Sequence, residues 1–199
     1  MRKLDSIHLD SFYHIYNRGN NGENLFYNDD NYRYFLKLYQ KHIFPIAETY
    51  CWCLLKNHFH LLVKIRSENE ICTKFSINKE KSLKKPSQGF SNLFNAYVQA
   101  INKQKNRYGS LLETPFKRKQ IKNEEYLKNL ILYIHNNPIQ HNFVERIEDY
   151  KWSSYKSIIS DKKTLIERKN VIDLFDDREN FIQTHQQKID TIAIEKMFL

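Results

Sequence analysis

Glycine and proline are scarce, four of each in 199 residues. That scarcity excludes a collagen-like or Gly/Pro-rich disordered chain, and 41% hydrophobic with 28% charged residues points to an ordered globular protein. Three cysteines, Cys51, Cys53 and Cys72, form an odd and irregular set, so a disulfide framework is excluded and a reducing compartment is expected. Cys51-Trp52-Cys53 lacks both the spacing and the second ligand pair of a structural zinc site, which leaves its thiols to strand packing. No apolar run approaches the roughly 20 residues of a membrane span. Met1-Arg2-Lys3-Leu4-Asp5 runs into charge rather than into an apolar signal region. A cytoplasmic location with no membrane partner is therefore expected. Acidic residues are outnumbered, 23 against 32 Lys and Arg, and the net charge of +9 with a pI near 9.3 favours phosphate-rich partners, nucleic acid first.

Aromatic and β-branched residues from Ser11 to Arg18 predict a first strand, ended by Gly19-Asn20-Asn21-Gly22. Asn28-Asp29-Asp30 can cap a helix whose buried stripe is Tyr32, Phe35, Leu36 and Tyr39, stopped by Pro45. Glu48–Leu55 and His58–Ile65 read as a hairpin turning at Lys56-Asn57. The polar, Lys-rich stretch from Ser67 to Gln88 predicts a mobile connection. Phe90, Leu93, Phe94, Tyr97, Val98 and Ile101 mark a second helix, stopped near Tyr108-Gly109, and a further strand falls within Leu112 to Ile121. Asn123 caps a third helix, which Pro138 is expected to end by Asn137. The order β-α-β-β-α-β predicts an α+β, ferredoxin-like antiparallel sheet with helices on one face. Residues 8–160 are expected to form one domain and 161–199 a helical C-terminal extension.

Strand alternation puts Phe59, Leu61, Val63 and Ile65 on one face of the second hairpin strand and His58, His60, Leu62 and Lys64 on the other. Two imidazoles on one rigid face can begin a metal site. On the third helix, Leu127, Ile131 and Ile134 form an apolar stripe beside a second stripe of Tyr126, Leu130, Tyr133 and Asn137.

Tyr50-Cys51-Trp52-Cys53-Leu54-Leu55-Lys56-Asn57-His58-Phe59-His60-Leu61-Leu62-Val63 resembles the His-hydrophobic-His segment of the HUH single-strand DNA transposases. Tyr13-His14-Ile15-Tyr16-Asn17-Arg18-Gly19 resembles their first strand and its loop. Tyr133-Ile134-His135-Asn136-Asn137-Pro138-Ile139-Gln140-His141 is similar to their nucleophile helix and its exit, and Trp152-Ser153-Ser154-Tyr155 matches a tetrapeptide that they carry. The resemblance is to the REP-associated tyrosine transposases, of the IS200-like group, and runs from about Phe12 to Tyr155. It implies His58 and His60 as metal ligands, Asn137 as a further ligand one turn beyond Tyr133, and Tyr133 as the nucleophile. The implied cofactor is Mg2+ or Mn2+, since phosphate chemistry suits a hard cation although imidazoles alone would accept zinc. The implied activity is that of a metal-dependent endonuclease and strand transferase acting on single-stranded or hairpin DNA. It would proceed through a 5'-phosphotyrosine link and a free 3'-hydroxyl, whose rejoining needs no ATP.

Candidate DNA contacts are Arg18 and Asn20 in the loop after the first strand, Lys84 and Lys85 in the connection, Arg107, and Lys117-Arg118-Lys119. The competing functions are a rolling-circle-type nickase, a catalytically inactive DNA-hairpin-binding protein and a zinc-dependent hydrolase. A monomer and a homodimer are both compatible with the sequence.

Overall fold

The computed structural model describes residues 5–75 and 86–187. Strand β1 (Phe12–Arg18) leads to helix α1 (Asp29–His42), the hairpin β2 (Ala47–Leu55) and β3 (His58–Ile65), and a short helix α2 (Glu68–Phe75). Helix α3 (Ser87–Lys105), β4 (Lys117–Ile121) and α4 (Glu124–Gln140) follow, then three short helices, α5 (Tyr155–Ile159), α6 (Arg168–Asp173) and α7 (Arg178–Gln186). The strands form one antiparallel sheet in the order β2-β3-β1-β4. This is the α+β arrangement expected from the element order.

Local chemistry explains the helix starts. The Asn28 side chain accepts from the Asn31 N–H and the Asn123 side chain from the Tyr126 N–H, so both predicted caps hold. Helix α2 was hidden in the polar stretch read as a mobile connection. It starts on a reciprocal box in which Glu70 accepts from the Ser67 N–H and hydroxyl, while Ser67 Oγ accepts from the Glu70 N–H. Lys84 and Lys85 lie outside the described residues.

Helix α4 also departs from expectation, running through Pro138 to Gln140. A proline in the final turn forfeits one i→i−4 bond, and the chain beyond is held by His141 N–H to Asn137 O at 3.0 Å and Phe143 N–H to Pro138 O at 2.8 Å. Asn137 is therefore helical, one turn from Tyr133, rather than pushed into an extended conformation.

Each face of the sheet carries its own core. Tyr13, Ile15, Phe59, Leu61, Val63 and Ile65 pack with Phe35 of α1 and Leu93 and Tyr97 of α3. On the opposite face Cys51, Cys53, Leu55 and Leu62 pack with Leu127, Ile131 and Ile134 of α4, and with Tyr155, Val171 and Phe181. The two helices of the βαββαβ unit thus share one face, and α4 covers the other. Burial holds the Cys51 and Cys53 thiols far above their ordinary pKa, in keeping with packing rather than metal binding.

The outer edge of β2 is closed by the segment carrying Trp152-Ser153-Ser154-Tyr155. Leu54 N–H donates to Trp152 O, and Ser154 N–H to Trp52 O, both at 2.9 Å. Trp152 then stacks on Tyr32 with ring centroids 4.5 Å apart. An edge that would otherwise pair with other chains is thereby covered.

The hairpin turn before His58 is gripped by the loop after β1. Gly19 N–H donates to Asn57 O at 2.8 Å, and Leu25 and Phe26 N–H both donate to Lys56 O. A Cβ on Gly19 would lie 2.0 Å from the carbonyl oxygen of Glu23, a backbone atom that cannot swing aside. Gly19→Ala is expected to destabilise the protein by about 1–3 kcal/mol, as for other overpacked sites. Urea unfolding checks this, and an unchanged midpoint would refute the close-approach argument.

Candidate active site

His58 and His60 alternate with Phe59 on β3, so that burying Phe59 in the first core turns both imidazoles to the opposite face. Strand register then brings β1 to them: Tyr16 pairs with His60 and Arg18 with His58. Lys117 of β4 pairs with Tyr16, and Lys119 with His14, on the same face. Helix α4 lays Tyr133 across this surface. Its ring centroid is 5.4 Å from that of His60 and 6.5 Å from that of His14, edge-on to both. The result is a cleft of about 340 Å³ lined by His14, Tyr16, Arg18, His58, His60, Lys117, Tyr133 and His141, among others.

The imidazoles are kept neutral. Burial pushes His60 well below the ordinary histidine range, with further lowering from His14, His58 and His141. Burial also brings His58 down to about 4 and His14 to about 3, helped by His141 and Lys119 respectively. Neutral imidazole is the form that donates a lone pair to a metal. One nitrogen of each candidate ligand is already engaged: His58 Nδ1 lies 2.8 Å from Asn57 Oδ1, and His60 Nδ1 lies 2.9 Å from His14 Nε2. Both rings therefore keep Nε2 for another partner, the pattern seen when outer groups orient metal-binding histidines.

Asn137, beside His58, could offer a third donor atom. Its Nδ2 donates back to Tyr133 O at 2.9 Å, while the residue is fully buried and Oδ1 has no hydrogen-bond partner. Its pull raises the proton affinity of His58 somewhat, yet the contact falls short of normal hydrogen-bond geometry. A buried, unpartnered amide oxygen is costly unless something binds it. Among the described residues no group of three or more His, Cys, Asp or Glu side chains could hold a metal. Two imidazole nitrogens and one amide oxygen nevertheless fit a divalent ion whose other ligands are phosphate oxygens and water.

The basic residues separate by location. Arg18 and Lys117 line the cleft and share one carboxylate, Glu113: Arg18 Nε contacts Oε1, and Lys117 Nζ lies 3.0 Å from Oε2. These exposed pairs are weak enough for a phosphate to replace. Lys119 stands 5.5 Å above the Tyr126 ring on the same face. Arg118 alternates to the other face, where it contacts Asp5 O and sits over Phe116. Arg107 is engaged by Glu23 at 2.7 Å and by Asn102, away from the cleft-lining set. Asn20 spends its amide N–H groups on Ser110 O and Leu112 O, which braces the loop instead of leaving those donors for bases.

Sequence reasoning did not single out His14, Tyr16 or His141. The usable signal was alternation on β1, where His14, Tyr16 and Arg18 stand opposite the buried Tyr13 and Ile15. His141 reaches the cleft because α4 persists through Pro138, and its ring lies 4.9 Å from that of His58.

No family model matches the chain. A protein of Haemophilus influenzae named as a REP-associated tyrosine transposase is 27% identical over 116 residues, which cover 54% of this chain. The match spans 58% of that relative's length. A solved structure of a REP-associated tyrosine transposase bound to a REP hairpin superposes with a TM-score of 0.57 and 14% identity, covering 80% of this chain and 84% of the other. In the described residues no helix is long and apolar enough to cross a membrane. The chain is thus similar in sequence to one REP-associated tyrosine transposase and shares the fold of another.

Proposed function

We propose that this chain is a REP-associated tyrosine transposase-like enzyme that binds hairpin DNA, cuts single-stranded DNA with Tyr133 and rejoins it. The observation carrying this reading is the placement of Tyr133 edge-on to His60 in a cleft that also holds His58. The relatives' names supply the DNA context, and the basic rim of Arg18, Lys117 and Lys119 supports phosphate binding there.

His58 and His60 would hold a divalent ion through their Nε2 atoms, with Asn137 Oδ1 as a further ligand. When bound, Mg2+ or Mn2+ supplies polarisation of the scissile phosphate and neutralises developing charge. Tyr133 Oη attacks phosphorus as its proton leaves to solvent, forming the tyrosyl-phosphate bond. The bond to the 3'-oxygen breaks, and that oxygen leaves as a 3'-hydroxyl after taking up a proton. Attack by another 3'-hydroxyl on the phosphotyrosine ester restores a DNA backbone and frees the tyrosine. Lys117 and Arg18 hold the neighbouring phosphates, and the buried floor of the cleft limits water access.

Incubation with a hairpin carrying a single-stranded 5' tail and Mn2+ should yield a denaturation-resistant protein–DNA adduct. Chelator should abolish it, as should the double substitution of His58 and His60 by Ala, with hairpin binding retained. Hairpin binding without any adduct across a panel of such substrates would instead identify an inactive hairpin-binding protein.

A further inference from the structure

We infer that His14 is a positioning residue, which fixes the tautomer and ring plane of His60 so that His60 Nε2 presents a lone pair to the metal. The inference rests on the metal reading above and adds a residue to it. His14 is 2% exposed and its Nε2 lies 2.9 Å from His60 Nδ1. A nitrogen-to-nitrogen hydrogen bond needs one donor and one acceptor. If His14 donated, His60 Nδ1 would accept, and the neutral His60 ring would carry its proton on Nε2, where it could not ligate. With His14 accepting, the proton sits on His60 Nδ1 and Nε2 is free. Only the second arrangement serves a metal.

The packing resists reorientation of either ring. His14 stacks on Tyr16 with centroids 4.6 Å apart and lies nearly parallel to His60, 23° between planes. Tyr133 meets both rings edge-on. The backbone adds a second constraint, because His14 pairs with Leu62, two residues along β3 from His60 and on the same face. A positioned acceptor of this kind is worth roughly 10- to 100-fold in metal affinity in known sites.

The test compares Mn2+ binding, followed by calorimetry or electron spin resonance, in wild type, His14→Phe, His14→Gln and His60→Ala. His14→Phe keeps a ring but no acceptor, and should weaken Mn2+ binding by about 10- to 100-fold. His14→Gln places an amide oxygen near the lost nitrogen and should restore affinity to within about threefold of wild type. Hairpin binding should be unchanged in both. A purely structural role would lower the metal-free melting temperature without this Gln rescue. Wild-type Mn2+ affinity in His14→Phe, alongside lost affinity in His60→Ala, overturns the inference and leaves the metal reading intact. Wild-type affinity in His60→Ala overturns both. Nitrogen-15 spectra of the wild-type protein with a diamagnetic divalent ion give an answer even where a variant fails to fold: a proton on His60 Nδ1 is expected, and one on Nε2 refutes the assignment.

Discussion

Tyr133→Phe is expected to abolish the covalent DNA adduct, lowering cleavage by at least about a thousand-fold while hairpin affinity stays near that of the wild type. The substitution removes one oxygen from a residue that is 5% exposed. The hydroxyl contributes on the order of 1 kcal/mol to the fold, so α4 should remain packed. A thousand-fold loss corresponds to about 4 kcal/mol of transition-state stabilisation, far above that structural cost. Three other phenols serve as controls. Tyr97 belongs to the core on the far side of the sheet, where its hydroxyl donates to Leu25 O at 2.8 Å. Tyr126 has a pKa pushed up to about 12 by burial and by Tyr16, which disfavours phenolate character. Tyr16 is the nearest rival, because it lines the cleft and stacks 5.9 Å from His60. It stands on β1, however, whereas Tyr133 shares a helix with the Asn137 donor. Tyr16→Phe should therefore retain the adduct. Adduct persisting in Tyr133→Phe, or peptide mapping that places DNA on Tyr16, would falsify the nucleophile assignment.

What was legible in the sequence is what short-range geometry encodes. The period of two in His58-Phe59-His60 placed both imidazoles on the face opposite Phe59, and Phe59 is fully buried in the first core as that requires. The stripe carrying Tyr133 and Asn137 was visible for the same reason, as were the caps at Asn28 and Asn123. Contacts set by the register of distant strands were not legible. Nothing local tells that His14 meets His60, 46 residues away, or that Ser154 reaches the edge of β2 to accept from Trp52 N–H. Pro138 misled because the bias of a residue before proline away from helical backbone is a preference only, and Asn137 stays helical here although the proline forfeits one i→i−4 bond. Nor was it legible that Glu23 would engage Arg107, or that Ser110 O and Leu112 O would take the Asn20 amide N–H groups, since those partners are set by tertiary contacts.

The second large effect concerns acid, and starts from a chain of hydrogen bonds that ties the last described helix to α4 and the sheet edge. His185 Nδ1 donates to Phe181 O at 2.7 Å, which leaves Nε2 to accept from His135 Nδ1 at 2.9 Å. His135 Nε2 then accepts from Ser154 Oγ at 2.8 Å, and Oγ in turn accepts from Trp52 N–H. Every member is satisfied only while both rings are neutral. Burial pushes His185 down to about 4 and His135 well below the ordinary range. Because the unfolded chain takes up protons near 6.5 that the folded protein refuses, stability is full above that pH and falls as pH drops toward 4. For His185 alone the loss amounts to roughly 3 kcal/mol at the lower limit. His135, His14, His58 and His60 act in the same direction. The lowered carboxylates of Asp29, Glu70, Glu113 and Asp161 start from 3.8 or 4.5, so their contribution is lost mainly below the histidine window. Urea midpoints measured with chelator should therefore fall steeply between pH 6.5 and 4.5. His185→Gln should be less stable at neutral pH but show a shallower acid slope. A wild-type midpoint that stays flat down to pH 4.5 would mean that these imidazoles protonate within the fold, and the buried neutral chain would have to be abandoned.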